Sequence, residues 1–378
     1  MSSGRDYLIV GGGLAGGLMA LAIRHLQPRA GVTIVEQAER LAGNHTWAFH
    51  ALDVPPAADP FVRPLVVTEW AGYKVRFPKY ERDVSSSYAA VSAERFDAVL
   101  KSSGCEILTN AEARHVTGDH VELADGTNLH ARCVMDCRGP ATELPPRSGF
   151  QKFVGLELEL DQPWPHSLPT VMDVVMPQDD GYRFVYVLPF SPTRVLVEET
   201  YFSDSPVLDR HKLHSRINDY LLAHGIRTWR VMREESGVLP MPWAGDRTPT
   251  SPEGPLVAGY AGGWFHPATG YSFPLAVRLA LAVASVPPEQ AHQAAAKLHR
   301  SVAPRQRFGR FLNRLLFTLV QPAQRWQVFR RLYRTLPDEL LARFYACDFG
   351  VVDAGRMLVG WPPPLSLSRL IHRPRVLP

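Results

Sequence analysis

The chain has 378 residues, 46% hydrophobic and 21% charged, which is enough apolar side chain for a large buried core and too little charge for a disordered chain. No window approaches the roughly eighteen uninterrupted apolar residues of a membrane-crossing helix. The four cysteines, Cys105, Cys133, Cys137 and Cys347, form neither a CxxC pair nor a His/Cys cluster, which argues against a metal centre and a dithiol redox centre. The formal charge is only +4 but is unevenly placed: eleven Lys/Arg against two acids between Lys297 and Arg343 give that stretch +9 and leave −5 elsewhere.

The polar lead MSSGRD carries no secretory pattern, so a cytoplasmic protein is expected. Residues 7–10 read as a strand, and Gly11, Gly13 and Gly16 follow it as a G-x-G-x-x-G turn into a helix reaching about Leu26, with Leu14 and Ala15 in its first turn. The first glycine permits a tight turn, the second lets backbone approach a pyrophosphate, and the third lets helix and strand pack closely. A second strand at 32–35 delivers Glu36, twenty residues after Gly16, where an acid holds a ribose 2′-hydroxyl. That combination predicts a dinucleotide site for FAD or NAD and argues against a bound 2′-phosphate.

Residues 39–50, ERLAGNHTWAFH, read as a polar and aromatic loop. A strand pair at 111–116 and 120–123 follows, and a strand at 131–135 runs into Asp136-Cys137-Arg138-Gly139, either a sheet edge meeting a cofactor or an ordinary turn. From residue 149 the pattern turns β-rich, with strands expected at 153–160, 170–175, 182–188 and 194–202. The last two, joined by PFSPT, form an antiparallel hairpin. Phe184, Tyr186 and Leu188 suit a greasy ligand, or a plain sheet core.

The stretch RVLVEET, residues 194–200, ends an apolar strand on two adjacent acids. Strand alternation places Leu196 and Glu198 on one face, and Val195, Val197 and Glu199 on the other. Without a bulge the two acids cannot enter one pocket. An acid buried beside apolar groups stays neutral near neutral pH and can donate a proton. Its neighbour then orients backbone or faces solvent.

A short strand at 255–259 opens a second glycine-rich turn, with Gly259, Gly262, Gly263 and Gly270 spaced around His266 and a helix at 274–284 behind it. Glycines ahead of a helix aim N–H groups at an anionic or polar ligand, unless they merely link two elements. The remainder is helical with breaks expected at Pro304, Pro322 and Pro337. Phe308, Phe311, Leu312 and Leu315 make an apolar stripe bordered by Arg307, Arg310 and Arg314. It is either a cap over the sheet or a surface for anionic headgroups. Nucleic acid is not expected, because no recognised binding fold accompanies these arginines.

Together, GGGLAG (11–16), GNHTWAFH (43–50), YKVRFP (73–78), DCRG (136–139), GYRFVYVLPFSPTRVLVEET (181–200) and FHPATGYSFPLAV (265–277), with the later NRLLF and ARFYA, resemble bacterial lycopene β-cyclase of the flavoprotein type over nearly the whole chain. The resemblance implies an α/β protein. A Rossmann-like FAD-binding domain (1–148 and 241–288) holds an inserted β-rich substrate region (149–240), and a helical basic region (289–378) touches membrane. It implies that the ψ ends of lycopene become β-ionone rings, by way of γ-carotene to β-carotene, through a carbocation and without net redox change. It also implies reduced FAD, NAD(P)H as electron donor, and peripheral contact with the inner face of the cell membrane. By the same resemblance Glu198 is the essential acid and Glu199 supports it. Glu198 either protonates the polyene or positions reduced flavin to do so. Gly11, Gly13, Leu14, Ala15, Gly16 and Glu36 hold the adenosine half, and Asp136, Gly262, Gly263, His266 and Gly270 approach the flavin. The nearest rival is an FAD-dependent monooxygenase or prenyl reductase.

Overall fold

The structure is a computed structural model that describes residues 5–139, 147–178, 181–244 and 253–359. The lead before Arg5 and the end of the basic region after Val359 lie outside the described residues.

From the N-terminus, β1 (Arg5–Val10), α1 (Leu14–Leu26) and β2 (Val32–Val35) form the opening unit. Next come β3 (Thr46–His50), the short α2 (Asp59–Val62), β4 (Thr68–Trp70), the hairpin β5 (Tyr73–Phe77) and β6 (Tyr80–Val84), β7 (Tyr88–Ser92) and α3 (Ala93–Lys101). β8 (Glu106–Leu108), β9 (Ala113–Val116), β10 (His120–Leu123) and β11 (Asn128–Asp136) follow. The middle holds β12 (Ser148–Leu160), β13 (Thr170–Asp173), β14 (Tyr182–Pro189), β15 (Arg194–Ser203), α4 (Arg210–Ala223) and β16 (Trp229–Pro242). Last are β17 (Leu256–Val257), α5 (Phe273–Ala284), α6 (Ala291–Leu319), α7 (Trp326–Thr335), α8 (Asp338–Tyr345) and α9 (Val351–Leu358).

The first sheet runs β8-β2-β1-β11-β10-β9, with β17 also paired to β11. β2, β1, β11 and β17 are parallel, so the turn after β1, the end of β11 and the loop after β17 meet at one sheet edge. Tyr7 and Ile9 pack with α1 and α5, while Leu8 and Val10 face the β9–β10 side, which is why four consecutive apolar residues are buried. The second sheet is ordered β16-β12-β15-β14-β13-β5-β6 and is antiparallel except at β13–β5. Its edge therefore draws on residues from before the β-rich segment. β3, β7 and β4 make a small third sheet.

Two expectations are corrected here. Residues 39–50 are not loop throughout, since Thr46–His50 pairs with β7 as β3. Nor does Pro304 break the chain's direction, because α6 runs through it. Val302, Gln306, Gly309, Asn313 and Leu316 are buried on one continuous face spanning that turn, while Pro304 is exposed on the other. The Arg305 guanidinium donates to Ser301 O at 2.8 Å, satisfying a carbonyl beside the interrupted position.

The helical region covers one face of the second sheet. Tyr182 stacks on Phe329 at 4.5 Å between centroids, and buried Arg325 donates to Asp204 at 2.6 Å. Leu340, Leu341 and Phe344 of α8 complete that apolar layer, and Arg82 on β6 pairs with Asp338 at its start. The opposite face of the sheet packs Val154, Val185, Val187, Val195 and Val197 on Leu213, Ile217 and Leu221 of α4.

Candidate active site

The glycine turn after β1 has geometry that side chains would destroy. Gly11 sits at φ +100°, and a Cβ there would lie 2.8 Å from the Cys137 carbonyl carbon. A Cβ on Gly16 would lie 2.0 Å from Gly11 O, whereas one on Gly13 would meet nothing within 4 Å. Gly13 thus leaves backbone open at the start of α1, where N–H groups and the helix dipole favour a pyrophosphate. Glu36 ends β2 beside it, its carboxylate accepting from Gly12 N at 2.8 Å and Ala38 N at 2.9 Å. Leu14 and Ala15 form the first turn of α1, and Ala15 Cβ is 3.6 Å from where a Gly259 side chain would start. The two glycine turns, distant in sequence, therefore touch.

Asp136 ends β11 at the same edge, with its carboxylate bound to Arg138 at 2.6 and 2.9 Å. Gly262 makes the turn that follows β17, where a Cβ would clash with Val257 O at 2.2 Å, and Gly263 and Gly270 adopt φ of +75° and +70°. His266 is fully buried between them; its Nδ1 accepts from Ala268 N at 3.2 Å, and its Nε2 has no hydrogen-bond partner among the described residues. Burial pushes its pKa down to about 3, so it is a neutral imidazole rather than a proton donor. These turns, the open backbone at Gly13 and the unpartnered Nε2 fit an extended dinucleotide such as FAD. Sequence reading missed the clamp behind them. Gln306 on α6 donates to Gly263 O at 2.7 Å and Phe265 O at 3.2 Å, and Asn313 donates to Pro267 O at 2.7 Å and Pro242 O at 3.1 Å.

On the second sheet, register aligns Tyr186 of β14, Glu198 of β15, Gly155 of β12 and Glu235 of β16 in one row across four strands. This row lies on the face covered by α6 to α9, with Phe184, Leu188, Leu196 and Phe202 on either side. The half-buried Glu198 accepts from Thr200 Oγ1 at 2.6 Å. Burial, seconded by the charge of Glu235, pushes its carboxyl up to about 8. Tyr186 and Tyr88 share a hydroxyl hydrogen bond at 2.8 Å, and His50 lies edge-on to Tyr88 and Tyr73 with centroids 4.9 and 5.4 Å away. Asp53 accepts from His50 N at 2.7 Å and from the Tyr271 hydroxyl. A continuous polar and aromatic cluster thus runs from the second glycine turn to Glu198. His50, Asp53, Tyr88 and Glu235 carried no local signal, although His50 closes the quoted GNHTWAFH motif.

Glu199 points the other way, as alternation requires, but it does not face solvent. Its side chain is fully buried and pairs with Arg183 at 2.6 Å and Arg216 at 3.9 Å, and both guanidinium groups lie over the Tyr201 ring. α4 covers that face, which is why the acid is dry. The cavity there, about 600 Å³ and lined by Arg76, Asp173, Arg183, Arg216 and Tyr220, is too charged for a hydrocarbon. The site residues expected from sequence therefore form two groups: the glycine turns with Glu36, Asp136 and His266, and Glu198 on the covered face. Glu199 belongs to neither.

Comparison with known proteins accords with this arrangement. A family model described as "Lycopene cyclase protein" matches residues 6–370. A lycopene beta-cyclase of Pantoea ananas is 38% identical over 370 residues, covering 97% of each chain. Among solved structures, a geranylgeranyl bacteriochlorophyll reductase-like protein from Thermoplasma acidophilum is similar in fold, with a TM-score of 0.62 and 13% identity over 93% of this chain and 95% of that one. A flavoprotein/dehydrogenase from Cytophaga hutchinsonii gives 0.60 at 13% identity, over 90% and 92%. With its two glycine turns in contact and one acid set in an aromatic wall, matched along nearly all its length, this chain belongs to the lycopene cyclase family.

Proposed function

We propose that the chain converts the acyclic ψ ends of lycopene into β-ionone rings, through γ-carotene to β-carotene, with Glu198 as proton donor. The observation that carries this reading is the place of Glu198 beside Tyr186 on the face covered by the C-terminal helices, a face built mainly of aromatic and aliphatic side chains, where burial raises its pKa. Glu198 gives its proton to the terminal double bond of the ψ end. The neighbouring double bond attacks the resulting cation, a ring carbon–carbon bond forms, and the Glu198 carboxylate takes up the ring proton, so that product and substrate are isomers. The faces of Tyr73, Tyr88 and Tyr186 favour a cation, and the covering helices keep out water that would capture it. Reduced FAD, with NAD(P)H as its electron donor, supplies an electron-rich ring and undergoes no net oxidation. Gly11, Gly13, Leu14, Ala15, Gly16 and Glu36 hold its adenosine half, and Asp136, Gly262, Gly263, His266 and Gly270 its flavin half.

Because the donor must be protonated, activity is present below the carboxyl's pKa and lost as pH rises through about 8. Chromatography of pigments from lycopene, protein, reduced FAD and lipid vesicles across that range is expected to show bicyclic product with an alkaline fall centred there. A lack of cyclic product at any pH sinks the reading. A monooxygenase or prenyl reductase would instead consume NAD(P)H in proportion to product, whereas the cyclase turns over repeatedly on flavin reduced once.

Peripheral binding to the cytoplasmic membrane face follows from a substrate that does not dissolve in water. No helix among the described residues is long and apolar enough to cross a bilayer. Part of the basic segment is used internally: Arg325 on Asp204, Arg343 on Asp353, and Arg331 on the carbonyls of Met357 and Val359. The outward features are exposed Arg307 and Arg314, Phe311 at 44% exposure, and Val351 and Val352 at 90% and 72%. Phe311 joins Phe308, which touches Phe349 at 5.5 Å, so these apolar residues form one edge. Neutralising Arg307, Arg310 and Arg314 is expected to weaken binding to anionic vesicles by about fivefold per residue. Val351→Asp with Val352→Asp is expected to weaken it further, and unchanged co-flotation would exclude this edge.

A further inference from the structure

We infer that Glu235 is a positioning residue for the cyclisation: it is the fixed negative charge that faces Glu198 across Gly155 and keeps that acid ready to donate. The inference rests on Glu198 being the proton donor. Its own ground is the register, which pairs Gly155 with Glu198 on one side and with Glu235 on the other. The two carboxylates stand two strand spacings apart, about 10 Å between backbones, on one face. Any other residue at 155 would fill the gap. A Cβ there would lie 3.1 Å from Glu235 Cγ, 3.4 Å from its Oε1 and 3.3 Å from Leu196 Cδ1.

Glu235 is held so that one oxygen faces this gap. Oε2 accepts from Thr46 N at 2.7 Å and from Arg233 at 3.1 Å, while Oε1 is the oxygen nearest the Gly155 space. Arg233 is fixed in turn by Glu157 at 2.9 Å and Thr46 Oγ1 at 2.5 Å, and Glu157 is also bound by Arg194 at 2.6 Å. Among the described residues, the polar side chains beside Glu198 are Thr200 on its own strand and Tyr186 on β14, with Tyr88 of β7 bonded to Tyr186 and His50 and Asp53 behind Tyr88; Thr200 and the two tyrosines are uncharged at neutral pH. Glu235 is therefore the carboxylate that acts on it. Burial raises the pKa of Glu235 too, and Arg233 and the Thr46 amide oppose that shift and favour the charged form. A like charge on the same face penalises ionisation of its partner, so Glu198 retains its proton to higher pH.

The test is the pH–rate profile of lycopene cyclisation by the flavin-loaded enzyme in vesicles. Glu235→Gln keeps an acceptor for the Thr46 amide and removes the charge. It is expected to move the alkaline limb down by about one pH unit while leaving the low-pH plateau within about twofold. Glu235→Asp keeps the charge and is expected to leave the limb near its wild-type position. An unmoved limb in Glu235→Gln, or an equal shift in Glu235→Asp, overturns the inference. Where Glu235→Gln does not fold, the paired replacement Glu235→Leu with Arg233→Met removes the charge together with its buried counter-ion, and a smaller shift in the same direction is expected, because Arg233 is farther from Glu198 in register. Glu198→Gln separates the two ideas: if it stays active the donor assignment fails, and if it is inactive while the Glu235→Gln limb is unmoved only the present inference fails.

Discussion

Glu198→Gln is expected to lower cyclisation by about 10²- to 10⁴-fold, the usual contribution of a positioned acid, while the protein still folds. The amide matches the carboxyl in shape and can still accept from Thr200 Oγ1, so the row from Tyr186 to Glu235 stays intact. What it lacks is a proton to give. Stability supplies an independent control with a definite sign. Burial holds the folded pKa of Glu198, about 8, above the ordinary 4.5 of a glutamate, so its contribution is fully present below 4.5 and is lost as pH rises through about 8. The glutamine variant should therefore melt no lower than wild type at alkaline pH and should gain on it as pH increases. A variant that is inactive and also unstable at every pH would point to a structural role. Pigment chromatography and melting curves at two pH values decide between these outcomes.

Glu199→Ala is expected to act mainly on stability, with a loss of about 3–5 kcal/mol, because it removes the buried carboxylate paired with Arg183 and close to Arg216 beside the Tyr201 ring. Denaturant unfolding should show the midpoint shift directly. Replacing Glu199 by Leu together with Arg183 by Met should recover most of the loss, since apolar volume substitutes well for a buried pair. Cyclisation per folded molecule at low temperature should remain within a few-fold of wild type. A normally stable Glu199→Ala protein without activity would instead place this acid in the chemistry. The adjacent glutamates thus predict opposite phenotypes: one loses turnover and keeps its fold, the other the reverse.

The parts legible in the sequence were those encoded over short spans. The β1–α1–β2 unit announces itself through three glycines and an acid at fixed spacing, and alternation alone separates the directions of Glu198 and Glu199. Alternation could not say what covers each face, however. Glu199 was open to being read as solvent-facing because nothing near it in sequence reveals α4 lying over β15. Glu235 was invisible for a related reason. In RVMREESGVLP it is one of two acids in a polar run, and its meaning appears only when β12 brings Gly155 between it and Glu198. Pro304 misled because its local preference to end a helix is outweighed by a buried face that continues on both sides. His50 and Asp53 gain their neighbours from β7 and from the loop before α5, far along the chain.

The grip of Gln306 and Asn313 on the loop after β17 bears on how the chain can be divided. The carbonyls of Gly263, Phe265, Pro267 and Pro242 have these two amides as donors, so α6 braces the second glycine turn rather than merely roofing the sheet. A truncation ahead of Gln306 would strand those acceptors, and the shortened protein should emerge without flavin as well as without a substrate cover. In synthesis the same dependence is expected to set an order: the loop after β17 gains these hydrogen bonds only once some fifty further residues have been made. α6 is thus not a detachable accessory, because it closes the hydrogen bonds of the loop after β17.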